Sequence, residues 1–346
     1  MVAASGLAAA ALADPQAEVC ARVYARKPDA PFAPAAAYAA AWERRAGLHV
    51  DPDGDCYRVV HGEADGLPGL RVERHADVLV VLVLAECAIP AIDAVCTAAA
   101  RLLPGARIVV RDHRDDLRVR DVVTRLHGGS EVDPEATVIG RELGLRYPLR
   151  PFAGLATGLY VDQRGTRRWL RANCGGARVL NLFAYTGAFS IALLAAGAAQ
   201  ATDVDLSAPA LARGREAAEL NGLAGRYRQE HADCVAWLAT STALFDIIIC
   251  DPPTAAQGGG GWIARRDYPR LLSAALARLA PRGLLVGTSN TMGGKPLPLD
   301  DLARDAGSAT GVALRSERGP ELDGDLPQIS GFPEGRPFRL AIVRRS

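Results

Sequence analysis

The sequence predicts an α/β fold: an open, doubly wound, mostly parallel sheet over residues 151–346, preceded by a smaller α/β domain at 51–150. Three observations predict it. From Arg178 onward, apolar runs of strand length alternate with helical stretches, the pattern of buried parallel strands joined by crossover helices. The first such unit runs from Val179, Leu180, Leu182 and Phe183 through the turn Thr186-Gly187 into an alanine-rich helix, Phe189 to Ala196. Acids then recur after successive strands, at Asp205, Asp233 and Asp251. A length of 346 residues fits two domains and a small third piece.

Taken in order, residues 1–50 are rich in alanine and proline and are expected to form a frayed or weakly helical leader, with a helix at AYAAAWERR, Ala37 to Arg45. The alanine-rich start lacks the positive segment of a signal peptide. Between Cys56 and Val83, two β-rich runs flank Asp65-Gly66-Leu67-Pro68-Gly69, which suits a hairpin. Ala88 to Leu103 reads as a helix, Ala106 to Arg111 as a strand, Asp112 to Arg120 as a charged loop, and Thr137 to Leu149 as a second hairpin. Beyond Pro151, Asp162 is placed to cap a helix carrying Arg164, Arg167 and Arg168. A third strand leads into His231-Ala232-Asp233-Cys234, and a fourth, Phe245 to Cys250, runs into Asp251-Pro252-Pro253. Tyr268 to Leu279 is the next helix, Gly283 to Gly287 the fifth strand ending at Thr288-Ser289-Asn290, and Pro337 to Arg344 the last strand. The glycine run Gly258 to Gly261 reads as a loop rather than a phosphate cradle.

Composition narrows the function classes. An apolar fraction of 49% is ample for a core, yet no run is long enough to span a membrane. Forty basic residues against 39 acidic ones leave a net charge of +1, so no global basic field announces nucleic acid. The seven cysteines are scattered and form no CxxC pair, which predicts neither zinc nor disulfides but buried thiols in a reducing, cytoplasmic setting. No metal is expected.

A main chain turning tightly at a strand's carboxyl end, with an acid about 20 residues on, is a way to hold the ribose of an adenosine cofactor. The GxGxxG fingerprint is absent and only Gly187 stands in the turn, so a pyrophosphate cradle is not indicated. Each acid alone reads equally as a solvated strand end or a helix cap. The ordered set, with Asp-Pro-Pro at the fourth strand, resembles a Rossmann-like class I S-adenosylmethionine (SAM) methyltransferase.

Longer segments sharpen the resemblance. YRVVHGEADGLPGLRVERHAD, TGLYVDQRGTRR, VLNLFAYTGAFSIAL, VDLS and FPEGRPFRLAIVR, in that order, resemble the bacterial large-subunit ribosomal RNA methyltransferases of the cytosine-C5 type, which usually carry an N-terminal PUA domain. The resemblance covers roughly residues 37–346. It implies SAM as cofactor and ribosomal RNA as partner. It also implies that Phe183, Tyr185, Thr186 and Gly187 line the methionine and ribose side. Asp205 would take the ribose hydroxyls, and Asp233 the adenine amino group. Asp251 would sit beside the methyl donor, on a backbone stiffened by Pro252 and Pro253. Tyr160, Asp162, Gln163 and Arg164 would close the pocket, and Asn181, Leu206 and Cys234 belong to the same cofactor-binding set.

Three departures stand out. Carbon-5 chemistry needs a thiolate to add at carbon 6 of cytosine, and the family carries that thiol after the fifth strand, where this chain has Asn290. Cys250 precedes Asp251 on its strand and so faces the packing layer if Asp251 faces the donor. Related enzymes that methylate guanine N7 also carry Asn here, which favours a nitrogen target, with Asp251, Pro252, Pro253 and Asn290 as the catalytic set. Second, the aromatic expected just after Asp-Pro-Pro is replaced by Thr254-Ala255, leaving Trp262 and Tyr268 as candidates to stack on a base. Third, residues 1–50 are too short for a full PUA domain. Phosphate contacts then fall to Arg164, Arg167, Arg168, Arg265 and Arg266, each of which reads equally as surface charge.

The leading expectation is a methyltransferase acting on a base of large-subunit ribosomal RNA. The alternatives are a small-molecule methyltransferase of a biosynthetic pathway and a non-catalytic RNA-binding or assembly protein. The oligomeric state is open, a homodimer included.

Overall fold

The computed structural model describes the chain except at residues 1, 5–6, 16, 18, 115–123, 128–132, 153–155, 257–260 and 291–295. Most of the charged loop at 112–120, three glycines of the run at 258–261 and Thr291 thus lie outside the described residues. The chain divides into two units. The first holds Met1–Gly144, Pro148–Asp162 and Leu322–Gly335, and the second holds Leu145–Tyr147, Gln163–Glu321 and Arg336–Ser346. The boundaries expected at 50 and 150 fall elsewhere. Residues 1–50 are part of the first unit, which runs on to Asp162 and takes back a segment from near the C-terminus.

In the first unit, β1 (Val2–Ala4), β2 (Leu7–Ala13) and β3 (Ala21–Ala25) form an antiparallel sheet, not the expected helical leader. Alanine favours helix intrinsically, but a helix this short is marginal alone. Pairing from Ala10↔Ala25 to Ala13↔Ala21 satisfies the main chain instead, and Arg22 reaches Glu63 at 2.8 Å. Next come α1 (Pro34–Arg44), α2 (Ala46–His49), β4 (Cys56–His61), β5 (Leu70–His75) and β6 (Val78–Val83). The second of the two expected β-runs is therefore two strands, folded at Ala76 with φ +57°. A 3-10 turn containing Pro90 precedes α3 (Ile92–Leu102), followed by β7 (Arg107–Asp112), β8 (Thr124–Leu126) and β9 (Val138–Glu142); the first three residues of the next strand, β10 (Leu145–Leu149), are assigned to the second unit.

The larger sheet of this unit has the order β4-β5-β6-β7-β8, antiparallel except where α3 links β6 to β7. One face packs Tyr57, Val72, Leu79, Val81 and Val110 with α1 and α3. The returning segment 322–335 is tied in by buried polar bonds. Arg45 grips Asp65 with two bonds of 2.7 Å and donates to the Asp325 carbonyl at 2.9 Å. Asp325 Oδ2 accepts from the Arg58 N–H at 2.9 Å.

The second unit contains α4 (Arg164–Arg171), β11 (Arg178–Leu182), α5 (Ala188–Ala195), β12 (Gln200–Asp205), α6 (Ala208–Leu220), β13 (Tyr227–His231), α7 (Cys234–Thr240) and β14 (Phe245–Cys250). A two-residue hairpin, β15 (Ala255–Ala256) and β16 (Trp262–Ile263), leads to α8 (Ala264–Leu276), β17 (Leu279–Ser289), α9 (Leu299–Thr310), β18 (Leu314–Ser316) and β19 (Arg339–Arg345). Helix α8 starts four residues before Tyr268 and β17 starts before Gly283; α9 and β18 were not anticipated. Strand order is β13-β12-β11-β14-β17-β19-β18, parallel through β17 and antiparallel for the last two. Leu180, Leu182, Val204, Ile248, Cys250 and Leu285 face α7, α8 and α9. Right-handed crossovers put α5 and α6 on the opposite face. Among the described residues, no helix is long and apolar enough to cross a membrane.

Candidate active site

Strand order reverses between β11 and β14, the place where open α/β sheets leave a crevice beyond their carboxyl ends. Register aligns Leu182 with Val204 and Cys250, and Cys250 with Gly287. The segments 183–187, 205–207, 251–254 and 288–290 therefore leave the same edge of the sheet.

The turn after β11 is left-handed at Phe183 (φ +56°), Tyr185 (+52°) and Gly187 (+71°). Each such non-glycine residue costs about 1–3 kcal/mol and needs support from its surroundings. That support is specific. The Tyr185 N–H donates to Asp205 Oδ2 at 2.8 Å, the Phe183 N–H to Cys234 Sγ at 3.2 Å, and the Arg213 guanidinium lies 5.2 Å from the Tyr185 ring centre. Asp205 Oδ1 accepts from the Ser207 N–H at 2.7 Å. Its two oxygens are thus oriented by main-chain donors, and each keeps a lone pair for a further donor. A pair of ribose hydroxyls, donating one to each oxygen, fits this pair of acceptors.

Beneath the turn lies a group that sequence reading missed. Asp203, fully buried, accepts from Ser190 Oγ, from Tyr227 Oη and, at 3.0 Å, from Asn181 Nδ2. Burial pushes its carboxyl up to about 7, against the pull of those three donors. A Cβ on Gly187 would collide with the Asp203 carboxylate and the Tyr227 hydroxyl, so glycine is required there on two counts. The signal was present in Thr202-Asp203-Val204-Asp205: an acid two residues before Asp205 shares its face of the strand. Asn181 belongs to this buried support. Its Oδ1 is buried with no hydrogen-bond partner.

Asp233 caps α7, its Oδ1 accepting from the Ala236 N–H at 2.9 Å. Leu206 is 47% exposed at the same edge, an apolar surface suited to a flat base. The Cys234 thiol is turned into the core and bonded to main chain at Phe183 and Val204, so its side chain supports the turn rather than meeting a cofactor. At the other end of the row, the Thr288 hydroxyl donates to Asp251 Oδ1. Thr254 Oγ1 donates to Asn290 Oδ1 at 2.9 Å. Trp262 is half-buried, its Nε1 donating to the Pro253 carbonyl at 2.8 Å and its ring 4.8 Å from that of Phe183. Tyr268 is excluded as a stacking face. It is fully buried, and its hydroxyl bridges the Cys250 and Thr288 carbonyls.

The residues expected to close the pocket divide between the two units. Gln163 and Arg164 are buried at the start of α4. Gln163, not Asp162, occupies the cap position of that helix, and no side chain caps it. Tyr160 and Asp162 belong to the first unit, where Tyr160 is exposed and Asp162 lies 3.9 Å from Arg58. Arg167, expected as a phosphate contact together with Arg164, is buried 5.6 Å from the Phe189 ring centre. Burial removes both from the surface. Arg168, Arg265 and Arg266 are exposed, with Arg266 paired to Asp267 at 2.8 Å. Among the described residues, no cluster of His, Cys, Asp and Glu could hold a metal ion.

Residues 86–332 match the family model for S-adenosylmethionine-dependent methyltransferases. A ribosomal RNA large subunit methyltransferase of Deinococcus radiodurans is 36% identical over 245 residues, 68% of this chain and 60% of that protein. Ribosomal RNA large subunit methyltransferase K/L of Pseudoalteromonas translucida is 37% identical over 161 residues, 45% of this chain and 23% of that protein. Ribosomal RNA large subunit methyltransferase I of Aeromonas salmonicida is 32% identical over 304 residues, 83% and 74% of the two chains. The chain thus spans less than two thirds of the first two relatives. Among solved structures, SMU.776 complexed with SAH superposes with a TM-score of 0.84 at 20% identity, covering 96% of this chain and 87% of the other. The SAM-dependent methyltransferase from Agrobacterium tumefaciens gives 0.61 at 23% identity, covering 85% and 90%. At these identities the likeness is one of fold, the class I methyltransferase α/β sheet.

Proposed function

The chain belongs to the S-adenosylmethionine-dependent methyltransferase family, and from that premise we propose that it methylates a nitrogen atom of a base in large-subunit ribosomal RNA. Bound SAM supplies an electrophilic methyl group on a sulfonium sulfur. Asp205, with its oxygens set by Tyr185 and Ser207, would accept from the ribose hydroxyls. Asp233 would accept from the adenine amino group while Leu206 covers the ring. Phe183, Tyr185, Thr186 and Gly187 would line the methionine and ribose side. Asp251 would stand beside the positive sulfur, where a carboxylate is electrostatically favourable. Trp262 would offer a flat wall to a base turned out of its stack.

One observation carries the choice of nitrogen: Asn290, held by Thr254, directly follows β17, where carbon-5 chemistry would need a thiolate. The cysteines of the second unit, Cys174, Cys234 and Cys250, are all buried, and burial pushes each thiol up. Such a thiol is a poor nucleophile. A ring nitrogen brings its own lone pair and needs proximity and alignment rather than covalent activation. With Thr254 donating to its Oδ1, the Asn290 amide is left to donate through Nδ2 to a base carbonyl. The relatives named above support ribosomal RNA as acceptor. A small-molecule acceptor is the second reading, favoured by the burial of Arg164 and Arg167, which thins the cations on α4.

The test is a transfer assay with methyl-labelled SAM. Ribosomal RNA from cells lacking the gene is offered beside a small-molecule extract of those cells, and the RNA is digested to nucleosides. Label in one N-methylated nucleoside is the expected result. Label in 5-methylcytosine would overturn the nitrogen assignment, and label only in the small-molecule fraction would transfer the function to the second reading.

A further inference from the structure

The larger sheet of the first unit turns a charged face away from its apolar core. Alternation along the strands puts Arg58 of β4, Arg71, Glu73 and His75 of β5, and Arg111 of β7 opposite Tyr57, Val72 and Val110. Register sets His61, Arg71, Leu82 and Arg111 in one row across β4, β5, β6 and β7. Arg58 and Glu73 stand opposite each other in the next row.

Most groups on this face are paired. Glu73 is taken by Arg58 at 2.6 Å and His75 at 3.3 Å, and Asp162 stands 3.9 Å from Arg58. His61 is bonded at both ring nitrogens, to Arg58 at 3.2 Å and to the Gly335 carbonyl at 2.6 Å. Arg71 is half-buried and makes no hydrogen bond or ion pair with any described residue. Near it, Arg58 Nε and His113 Nε2 are buried with no hydrogen-bond partner, and Arg58 is only 3% exposed. Burial and the neighbouring Arg58 push the Arg71 guanidinium down to about 10, despite Asp162, Glu73 and Glu63. Burial together with Arg111 and Arg71 pushes His113 down to about 4. A desolvated guanidinium whose N–H groups have no acceptor is costly, and its planar fork matches a phosphate group. Leu82, half-buried beside it in the row, adds apolar surface for a sugar.

We propose that Arg71, with the unsatisfied Arg58 Nε–H near it, forms a subsite for a backbone phosphate of the RNA substrate. The inference rests on the ribosomal RNA reading and adds to it a positioning contact, which holds the strand without reading its bases. The test uses the full-length protein, a ribosomal RNA transcript and a salt titration of binding for wild type, Arg71→Ala and Arg71→Lys. One lost phosphate contact lowers the slope of log affinity against log salt by about 0.7–0.9 and uniformly weakens binding, by about tenfold. Arg71→Ala is expected to do both and to raise KM for RNA, with kcat and SAM affinity unchanged. Arg71→Lys, which keeps the charge, is expected to restore the slope. A merely structural role would shift the unfolding midpoint and leave the slope alone, which overturns the proposal. So would protection by inorganic phosphate that depends on Arg71 while RNA binding does not, since the subsite would then take a free anion. If the wild-type protein binds no RNA, the ribosomal RNA reading fails and this subsite with it. If it binds RNA and Arg71→Ala keeps the wild-type slope, the subsite alone fails.

Discussion

Asp203 shows how much one side chain can set. A carboxyl with a folded value of about 7 and an ordinary value of 3.8 binds an extra proton in the folded chain between those limits. Stability is therefore expected to fall as pH rises from about 4 to about 7, by up to about 1.4 kcal/mol per pH unit, and to level off outside that window. His61 and His113 of the first unit work the other way. Burial pushes them down to about 3 and about 4, so each favours the folded state more as pH rises toward 6.5. The comparison that isolates Asp203 is the difference between wild type and Asp203→Asn in urea unfolding at several pH values. The variant should lose the declining contribution, and a difference that does not change with pH would show that Asp203 does not titrate there. Asp205, two residues on, was legible because it ends a strand; Asp203 was not, because only pairing with β11 and β13 brings Asn181 and Tyr227 to it.

At the scale of elements, the acceptor end depends on β14 and β17 lying side by side. Tyr268 of α8 ties their ends together from below, through the Cys250 and Thr288 carbonyls. Thr288 then reaches Asp251, and Thr254 reaches Asn290. Asn290→Ala is expected to lower kcat by about 10- to 100-fold, the worth of one or two oriented hydrogen bonds in the transition state. SAM affinity should stay as it was. Equilibrium binding and single-turnover rates separate the two, and unchanged single-turnover rates would remove Asn290 from the chemistry. The strands themselves were readable as apolar runs, and the acids as their endings. Helix α4 was readable as a helix but not by its faces. Its arginines look like surface charge in the sequence, yet Arg164 and Arg167 are buried.

At the scale of the molecule, the chain returns to its first unit after completing most of the second. Leu322–Gly335 is bound there by Asp325, which accepts from the buried Arg58 N–H, and by the Gly335 carbonyl facing His61. Asp325→Ala leaves that N–H without its acceptor, and such a loss costs about 1–3 kcal/mol. Chemical unfolding should show this loss. SAM affinity, set by the strand ends of the second unit, should not change. A variant as stable as wild type would mean that the segment is held by its other contacts. The last strand was read as Pro337 to Arg344 and pairs as β19 over Arg339–Arg345, while the residues just before it, Phe332 to Gly335, belong to the first unit.

By itself the sequence determined the parallel sheet, the order in which its strands end in Asp205, Asp233 and Asp251, the turn at Gly187 and the absence of a thiol at Asn290. These are local properties, written in periodicity, turn chemistry and residue identity. Only the tertiary structure decided that the alanine-rich start pairs as strands, that Asp203 and Asn181 are buried beneath the turn, that Arg164 and Arg167 face inward, and that Arg71 stands without a hydrogen-bonded partner. The physical reason is the same in each case. Desolvation and pairing depend on groups far away along the chain, and they outweigh the intrinsic preference of any one residue.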